Sequence, residues 1–398
     1  MNKVLKILHI IPDDGKFVKD SLGLFYSIPN ISNEAWFVTK DGSRPKSKGL
    51  ESVKGVTYLE FKSKCCDSRC HDVIIIHCLV SLPFRIIKDI HEDICLAVFT
   101  WGADIYDLSF PFYPLIPLKN TVRSYKVQYL IDKFFNIHFF NRLVGEFIRN
   151  KFMPKTNQKN AIKRIDYYSG VFPNEWEYIR KLNPEFRAKR FSFNYVNPLS
   201  PFTYDRIEES VIPNRNNIQV GHSGYMKLNH TNVFKQIKDI IPSKSKVIVP
   251  LSYAPSGEKY VNYVIDVGRN SMGEKFQPIK DFMEYKDYVK LMSTVNAAIF
   301  DIDRQCCVGN CLIAIWNGAK VFFPKKSLNY EYFKSIGVEV FTIEEDLNTQ
   351  ELSTHLSMDI IKSNRKAIVD VWSYENVRSG VIDSLRDIIA NRTNRLQK

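Results

Sequence analysis

The sequence first suggests chemistry where an apolar run breaks into small residues: Ile218-Gln219-Val220 leads into Gly221-His222-Ser223-Gly224. Glycines at 221 and 224 let the backbone turn sharply and come close to a ligand, so that N–H groups can face an anion. A helix follows, with Thr231 as N-cap and Val233, Phe234, Ile237, Ile240 and Ile241 along one buried face. The spacings of the dinucleotide fingerprint and of the P-loop are both absent, so the turn alone is equally a tight connection. A second corner lies at Gly309-Asn310, where another helix begins and offers its dipole and its N–H groups. Arg304 and Lys227 are the cations nearest these corners in sequence, with an ordinary surface role as the alternative for each. His222 can donate to an anion or be a hydrogen-bonded structural histidine. In the first half Asp104, His77 and His9 end apolar runs, where a carboxylate or an imidazole can exchange a proton.

For such residues to meet, strands must carry them to one edge. Short apolar, β-branched runs predict strands at Val4–Ile11, Ala35–Thr39, Val56–Phe61, Val73–His77, Leu96–Thr100, Asp166–Gly170 and Lys189–Val196. A second set comprises Ile218–Val220, Lys246–Pro250, Ala297–Asp301, Lys320–Phe323 and Val338–Phe341. Helical patterns lie between them, near Glu258–Val267, Tyr285–Thr294 and Asn310–Trp316, and then at Leu352–Val371 and Tyr374–Ile389. Longer connections between short strands indicate parallel βαβ units. Pro, Ser and Asn between Asn197 and Asn217 read as a linker. The expected fold is α/β: residues 1–197 form one Rossmann-like domain, 198–216 a linker and 217–372 a second such domain. Residues 373–398 form a helix that can cross back to the first. This is similar to the GT-B architecture, in which ligands bind outside the carboxyl ends of the strands, in the cleft between domains.

Bulk properties fit that reading. A chain of 398 residues exceeds what one core organises, and 44% hydrophobic with 13% aromatic residues excludes wholesale disorder. The first residues are too short and too charged for a signal peptide, and no apolar run is long enough to span a bilayer, so a cytosolic location is expected. Cys65, Cys66, Cys70 and Cys78, with His71 and His77, contain no C-x-x-C pair for zinc, and Cys306, Cys307 and Cys311 read as reduced thiols at a strand–helix corner. The net charge of +13 is uneven: residues 119–164 hold eleven Lys/Arg against Asp132 and Glu146, interleaved with aromatics. That pattern suits an anionic bilayer surface or a lipid phosphate. A solvated basic face is the plainer alternative, and no nucleic-acid motif accompanies the charge.

Four segments resemble one family. Thr100-Trp101-Gly102-Ala103-Asp104-Ile105-Tyr106-Asp107-Leu108, Val220-Gly221-His222-Ser223-Gly224, Val247 to Pro255 and Gly309-Asn310-Cys311-Leu312-Ile313 are similar to the bacterial TDP-N-acetylfucosamine:lipid II N-acetylfucosaminyltransferases of enterobacterial common antigen synthesis. The likeness runs from about Val73 to the C-terminal helix and is faint before it. Two departures stand out: His222 replaces an Asn, and the segment Arg304-Gln305-Cys306-Cys307-Val308-Gly309-Asn310 keeps the Arg-Gln and Gly positions but has Cys for a Gln and Asn310 for the Thr that follows.

The resemblance implies a glycosyltransferase that moves an N-acetylfucosamine-like sugar from a dTDP donor to a polyprenyl-diphosphate-linked saccharide in O-antigen or common-antigen synthesis. Such an enzyme would sit peripherally on the cytoplasmic face of the inner membrane. A UDP or GDP donor is the alternative, and a non-catalytic basic nucleic-acid- or membrane-binding protein is the contender from another class. Sugar transfer requires that the departing diphosphate be neutralised and an acceptor hydroxyl deprotonated. The donor residues are then Gly221, His222, Ser223, Gly224, Lys227, Arg304, Gln305, Gly309 and Asn310, with Pro250 and Tyr253 lining the pocket, and no metal is expected. Asp104 is the first choice as general base, its alternative being a helix cap; His77 is the second. His9, Trp101 and Tyr106 face the acceptor, though core packing competes for Trp101. Asp301-Ile302-Asp303 matches the metal–diphosphate motif of a different glycosyltransferase fold, but in a second parallel domain it reads as strand-end loop acids.

Overall fold

The structure is a computed structural model that describes residues 4–65, 67, 70–79, 87, 89–106, 155–195, 201–253 and 255–396. Its first sheet contains β1 (Leu5–Ile10), β2 (Ile31–Thr39), β3 (Lys54–Thr57), β4 (Val73–His77), β5 (Cys95–Phe99), β6 (Tyr167–Ser169) and β7 (Lys189–Arg190). They lie in the order β3-β2-β1-β4-β5-β6-β7, and every pair is parallel. The helices among them are α1 (Gly15–Tyr26), α2 (Tyr58–Cys65), α3 (Ala103–Tyr106), α4 (Lys155–Arg164) and α5 (Pro173–Leu182). A parallel sheet is covered on both faces, so its central strands read as unbroken apolar runs. Val-Ile-Ile-Ile-His of β4 and Cys-Leu-Ala-Val-Phe of β5 are buried at every position.

The second sheet has β8 (Asn217–Val220), β9 (Val247–Pro250), β10 (Phe276–Ile279), β11 (Val295–Ile299), β12 (Lys320–Phe323) and β13 (Phe341–Thr342), ordered β10-β9-β8-β11-β12-β13 and again all parallel. Its helices are α6 (His230–Ile237), α7 (Glu258–Met272), α8 (Tyr285–Met292), α9 (Val308–Trp316), α10 (Leu328–Ser335), α11 (Thr349–Ser353) and α12 (Met358–Trp372). Val233, Phe234 and Ile237 of α6 pack with Val261, Val264 and Ile265 of α7 and with Ile218, Val220, Val247 and Val249 of the sheet in one core. The last helix is α13 (Tyr374–Leu396). Among the described residues no helix is long and apolar enough to cross a membrane.

The chain divides into two compact units. One is built from the described residues before Ser200 together with Trp372 onward, the other from Pro201–Val371. Helix α13 accordingly bonds to the first: Tyr167 donates to Asp387 at 2.6 Å, Ser192 N–H to Ser384 Oγ at 2.8 Å, and Arg378 to the Ser27 carbonyl at 2.9 Å.

Several expectations about elements need correction: the strand at Lys189–Val196 ends at Arg190, the one at Val338–Phe341 is Phe341–Thr342, and the helix at Leu352–Val371 is two, α11 and α12. The strand expected at Val56–Phe61 stops at Thr57, because Glu60 accepts from the Thr57 N–H at 2.7 Å and starts α2. An edge strand, β10, lies where none was expected. Helix α6 begins two residues early, its cap being Asn229 in the left-handed region at φ +50° rather than Thr231. The basic, aromatic stretch lies outside the described residues up to 154. Within α4, Arg164 is committed to structure, bridging Asp166 at 2.8 Å and donating to the carbonyls of His91 and Ile94.

Candidate active site at two switch points

Each sheet starts in its middle. The chain winds outward from β1 to β3, returns beside β1 as β4, and repeats this manoeuvre from β8 to β10 and back to β11. Where strand order reverses, adjacent connections leave on opposite faces and a crevice opens beyond the carboxyl ends. The residues after β1 and β4, and after β8 and β11, are therefore placed for binding.

In the second unit, the β8 turn and the segment after β11 stand together. Gly221 N–H donates to Ile299 O of β11 at 2.9 Å, with Gly221 at φ +67°. A Cβ there would lie 2.5 Å from His230 Nε2, which is why glycine occupies the corner. Gly224 N–H donates to Tyr253 O at 3.1 Å, and Ser256 N–H donates to Gly224 O at 2.9 Å. The loop bearing Pro250 and Tyr253 is thus fastened to the turn, with the Tyr253 side chain exposed. These bonds correct one expectation: the N–H groups of both glycines are engaged inside the protein, so the glycines supply shape rather than donors. Ser223 is buried.

Donors come instead from α9. Its N-cap, Cys307, sits at φ +54° without a side-chain cap, and nothing lies within 4 Å of a Cβ built on the exposed Gly309. The first turn of a helix presents N–H groups that have no partner within the helix, at its positive dipole end. A left-handed non-glycine residue costs of order 1–3 kcal/mol, and such residues concentrate at functional sites. Asn310 is held by the Tyr288 hydroxyl, which also accepts from Gln219 at 3.3 Å, while Gln219 donates to Gly221 O at 2.9 Å. One hydrogen-bonded chain so joins the β8 turn to α9. The Arg304 guanidinium lies 5.4 Å from the Tyr225 ring centre and the Lys227 ammonium 5.7 Å from it, so both expected cations gather round one aromatic beside the turn. Arg304 and Gln305 are largely buried. Sequence reasoning missed Gln219, Tyr225 and Tyr288, which carry no motif and act through their neighbours.

The Asp-x-Asp pair is structural. Asp301 is buried and accepts from Asn232 at 2.7 Å, and Asp303 lies 3.9 Å from Lys326. Among the described residues the group able to hold a metal is instead His222, Cys306 and Cys307. Cys307 pushes the Cys306 thiol up to about 12, reinforced by burial, and burial drives Cys307 well above the usual thiol range.

In the first unit, β1 and β4 bring together two histidines that are both 0% exposed. His9 Nδ1 lies 3.0 Å from His77 Nε2, and His9 Nε2 lies 3.1 Å from Asn33 Oδ1. Asn33 donates its amide to Phe25 O at 3.2 Å, so its Oδ1 must accept. His9 then carries its proton on Nε2, and a neutral His9 accepts at Nδ1 from His77 Nε2–H. Neutrality follows from burial, which lowers His9 to about 4 and His77 well below its ordinary value. Cys78, immediately after His77, is left-handed at φ +71°. Asn33 was not anticipated from sequence.

Asp104 is not placed as a base. Its carboxylate is 0% exposed and accepts from Leu79 N–H at 2.9 Å, Trp101 N–H at 2.9 Å and Gly102 N–H at 3.0 Å. Those bonds commit it to holding the backbone before α3 and after β4 in place. Tyr106 is buried and donates to Glu175 at 2.7 Å, so it too belongs to the interior rather than to an acceptor surface. Trp101 is partly exposed and packs on Phe17 at 5.4 Å and Tyr195 at 5.6 Å.

Two doubly wound sheets, each with polar residues gathered where its strand order reverses, define a GT-B glycosyltransferase. Solved structures share this fold: sucrose-phosphate synthase from Thermosynechococcus elongatus matches with a TM-score of 0.61 at 10% identity, covering 97% of this chain and 100% of that one. Anabaena HepE, in complex with UDP and glucose, matches with a TM-score of 0.57 at 11% identity over 96% of this chain and 100% of its own. Trehalose-6-phosphate synthase OtsA matches with a TM-score of 0.54 at 9% identity over 96% and 98%. Within the class, the chain belongs to the 4-alpha-L-fucosyltransferase family, glycosyl transferase group 56, whose model matches residues 174–375.

Proposed function

We propose that this glycosyltransferase moves an N-acetylfucosamine-like deoxy-amino sugar from a dTDP donor to a polyprenyl-diphosphate-linked saccharide of bacterial surface polysaccharide synthesis. The observation that carries the donor half is the open first turn of α9 beside the β8 turn, with Arg304 and Lys227 at hand. As the donor bond breaks, charge builds on the departing diphosphate, and the helix dipole, its N–H groups and the two cations oppose that charge without a bridging hard cation. His222, at the tip of the turn, is within the same cluster. Membership of a fucosyltransferase family supports a fucose-like sugar. The basic stretch 119–164 supports an anionic membrane surface as partner and a peripheral position on its cytoplasmic face.

With Asp104 committed to three backbone amides, the acceptor's proton passes in this reading to His77. Asn33 and His9 fix His77 as an Nε2–H tautomer, which leaves Nδ1 as the accepting nitrogen. The purified chain, offered dTDP-, UDP- and GDP-sugars with lipid-linked acceptors, should form product by mass spectrometry with the dTDP sugar and at the same rate with or without magnesium. Product from UDP- or GDP-sugars alone would reassign the nucleotide, and no product from any would remove the reading. His77→Gln should lower kcat by on the order of 100- to 10,000-fold while the thermal shift with dTDP persists. Unchanged turnover would take His77 out of the mechanism.

A further inference from the structure

The two segments that meet at the second switch point also bring together a set of soft ligands, three of them thiols for which sugar transfer has no role. A ring nitrogen of His222, from the turn after β8, and the thiols of Cys306 and Cys307, from the segment after β11, all lie within 4.8 Å of one another. Cys311, one helical turn along α9, places its sulfur 3.6 Å from that of Cys307. All three thiols are free of disulfides. Nδ1 of His222 is buried and has no hydrogen-bond partner among the described residues, an expensive arrangement for an imidazole unless something else uses it.

We propose that His222, Cys306, Cys307 and Cys311 form a binding site for a thiophilic divalent cation of the zinc class. Zinc bonds of about 2.3 Å to sulfur and about 2.0–2.1 Å to nitrogen set tetrahedral ligand edges of roughly 3.5–3.8 Å. The Cys307–Cys311 edge already has that length, and the three edges among His222, Cys306 and Cys307 need to close by roughly an ångström. Mixed nitrogen and sulfur donors select zinc over magnesium or calcium, which take oxygen. Four protein ligands close the shell, so the cation fastens the β8 turn to the start of α9 and carries out no chemistry itself. Each thiol that binds releases its proton to solvent. The site is argued from the two loops alone and stands or falls separately from the identity of the sugar donor.

The full chain, stripped of metal under reducing conditions, should take up one Co²⁺ and develop a thiolate-to-cobalt charge-transfer band with strong tetrahedral d–d absorption. Zinc should displace it. His222→Ala with Cys306→Ser should weaken Zn²⁺ binding, measured against a chromophoric chelator, by at least the ~100-fold that lost outer-shell support can cost. Cys70→Ser, which removes an exposed thiol elsewhere, should leave it unchanged. The unaltered chain gives a test that needs no variant: Zn²⁺ should shield Cys306 and Cys307 from iodoacetamide, read by peptide mapping, while Cys70 is labelled as before. A chain that shows no thiolate–cobalt band, or whose Cys306 and Cys307 are labelled equally with and without zinc, overturns the proposal. So does a double variant that binds zinc as tightly as the parent.

Discussion

At the scale of single residues, burial decides more than sequence position does. Asp104 and Glu175 are both 0% exposed carboxyls, and both are raised, first of all by burial. Glu175 reaches about 7, although Phe172 N–H and the Tyr106 hydroxyl donate to it. A carboxyl that keeps its proton in the folded state while the unfolded chain loses it makes stability fall as pH rises from about 4.5 to about 7, and not beyond. The shift corresponds to about 3 kcal/mol. Glu175→Gln removes the dependence, so the unfolding free energy of the parent relative to this variant should decline by about that amount between pH 4.5 and 7, measured by urea denaturation. His9 acts with the opposite sign: lowered to about 4, it costs stability as pH falls from 6.5 toward 4. A parent–variant difference that stays level across pH 4.5 to 7 would mean Glu175 is ionised in the fold. Glu175 was not legible as titrating from sequence, and the direction of neither shift was, because burial is a property of what surrounds a residue. The two departures from the resembled motif, His222 and Cys306, were legible singly. That they converge was not, since each lies in a different βα connection.

At the scale of elements, the sequence is clearest where periodicity and burial agree. The apolar runs of β4 and β5 read as central parallel strands, and they are buried throughout. Strand β10 was missed because Phe-Gln-Pro-Ile carries a proline, which is tolerated at the sheet edge it occupies. The end of β3 was available in principle: Thr57-x-x-Glu60 is a capping box, and Glu60 N–H donates back to Thr57 Oγ1 at 3.3 Å. The β8 turn was read correctly as needing glycine, but for geometry and not for its amides. Replacing Gly221 by alanine forces a left-handed conformation costing about 1–2 kcal/mol and sets a Cβ against His230, an overpacking cost of about 1–3 kcal/mol. Gly221→Ala should therefore lower the stability of the second unit by roughly 2–5 kcal/mol in chemical denaturation. It should also weaken the dTDP-induced thermal shift, because Gly221 O anchors the bonded chain to Tyr288 and Asn310. A variant as stable as the parent would show that the turn can adopt another conformation.

At the scale of the whole molecule, the chain returns to its first unit after completing its second. Helix α13 carries Val377, Val381, Leu385 and Ile388, one stripe at helical spacing, and none is more than 4% exposed. Gly380 lets the helix approach closely, since a Cβ there would lie 2.5 Å from Ser192 Oγ. Burying four such side chains is worth about 1.5–3 kcal/mol each, or roughly 6–12 kcal/mol together. That is comparable with the entire stability of about 5–15 kcal/mol that a folded domain commands. A chain ending before Tyr374 should therefore lose most of the first unit and retain the second, whose core around Phe234 and Val264 draws nothing from α13. Hydrogen exchange read by mass spectrometry separates the two outcomes. Peptides from β1, β4 and β6 should exchange freely in the truncated chain while those from β8, β9 and β11 stay protected. Equal protection in both sets would mean that α13 is dispensable, and equal loss would mean that the two units fold as one. With the proposed donor site in the second unit, the truncated chain should still shift with dTDP while transferring no sugar.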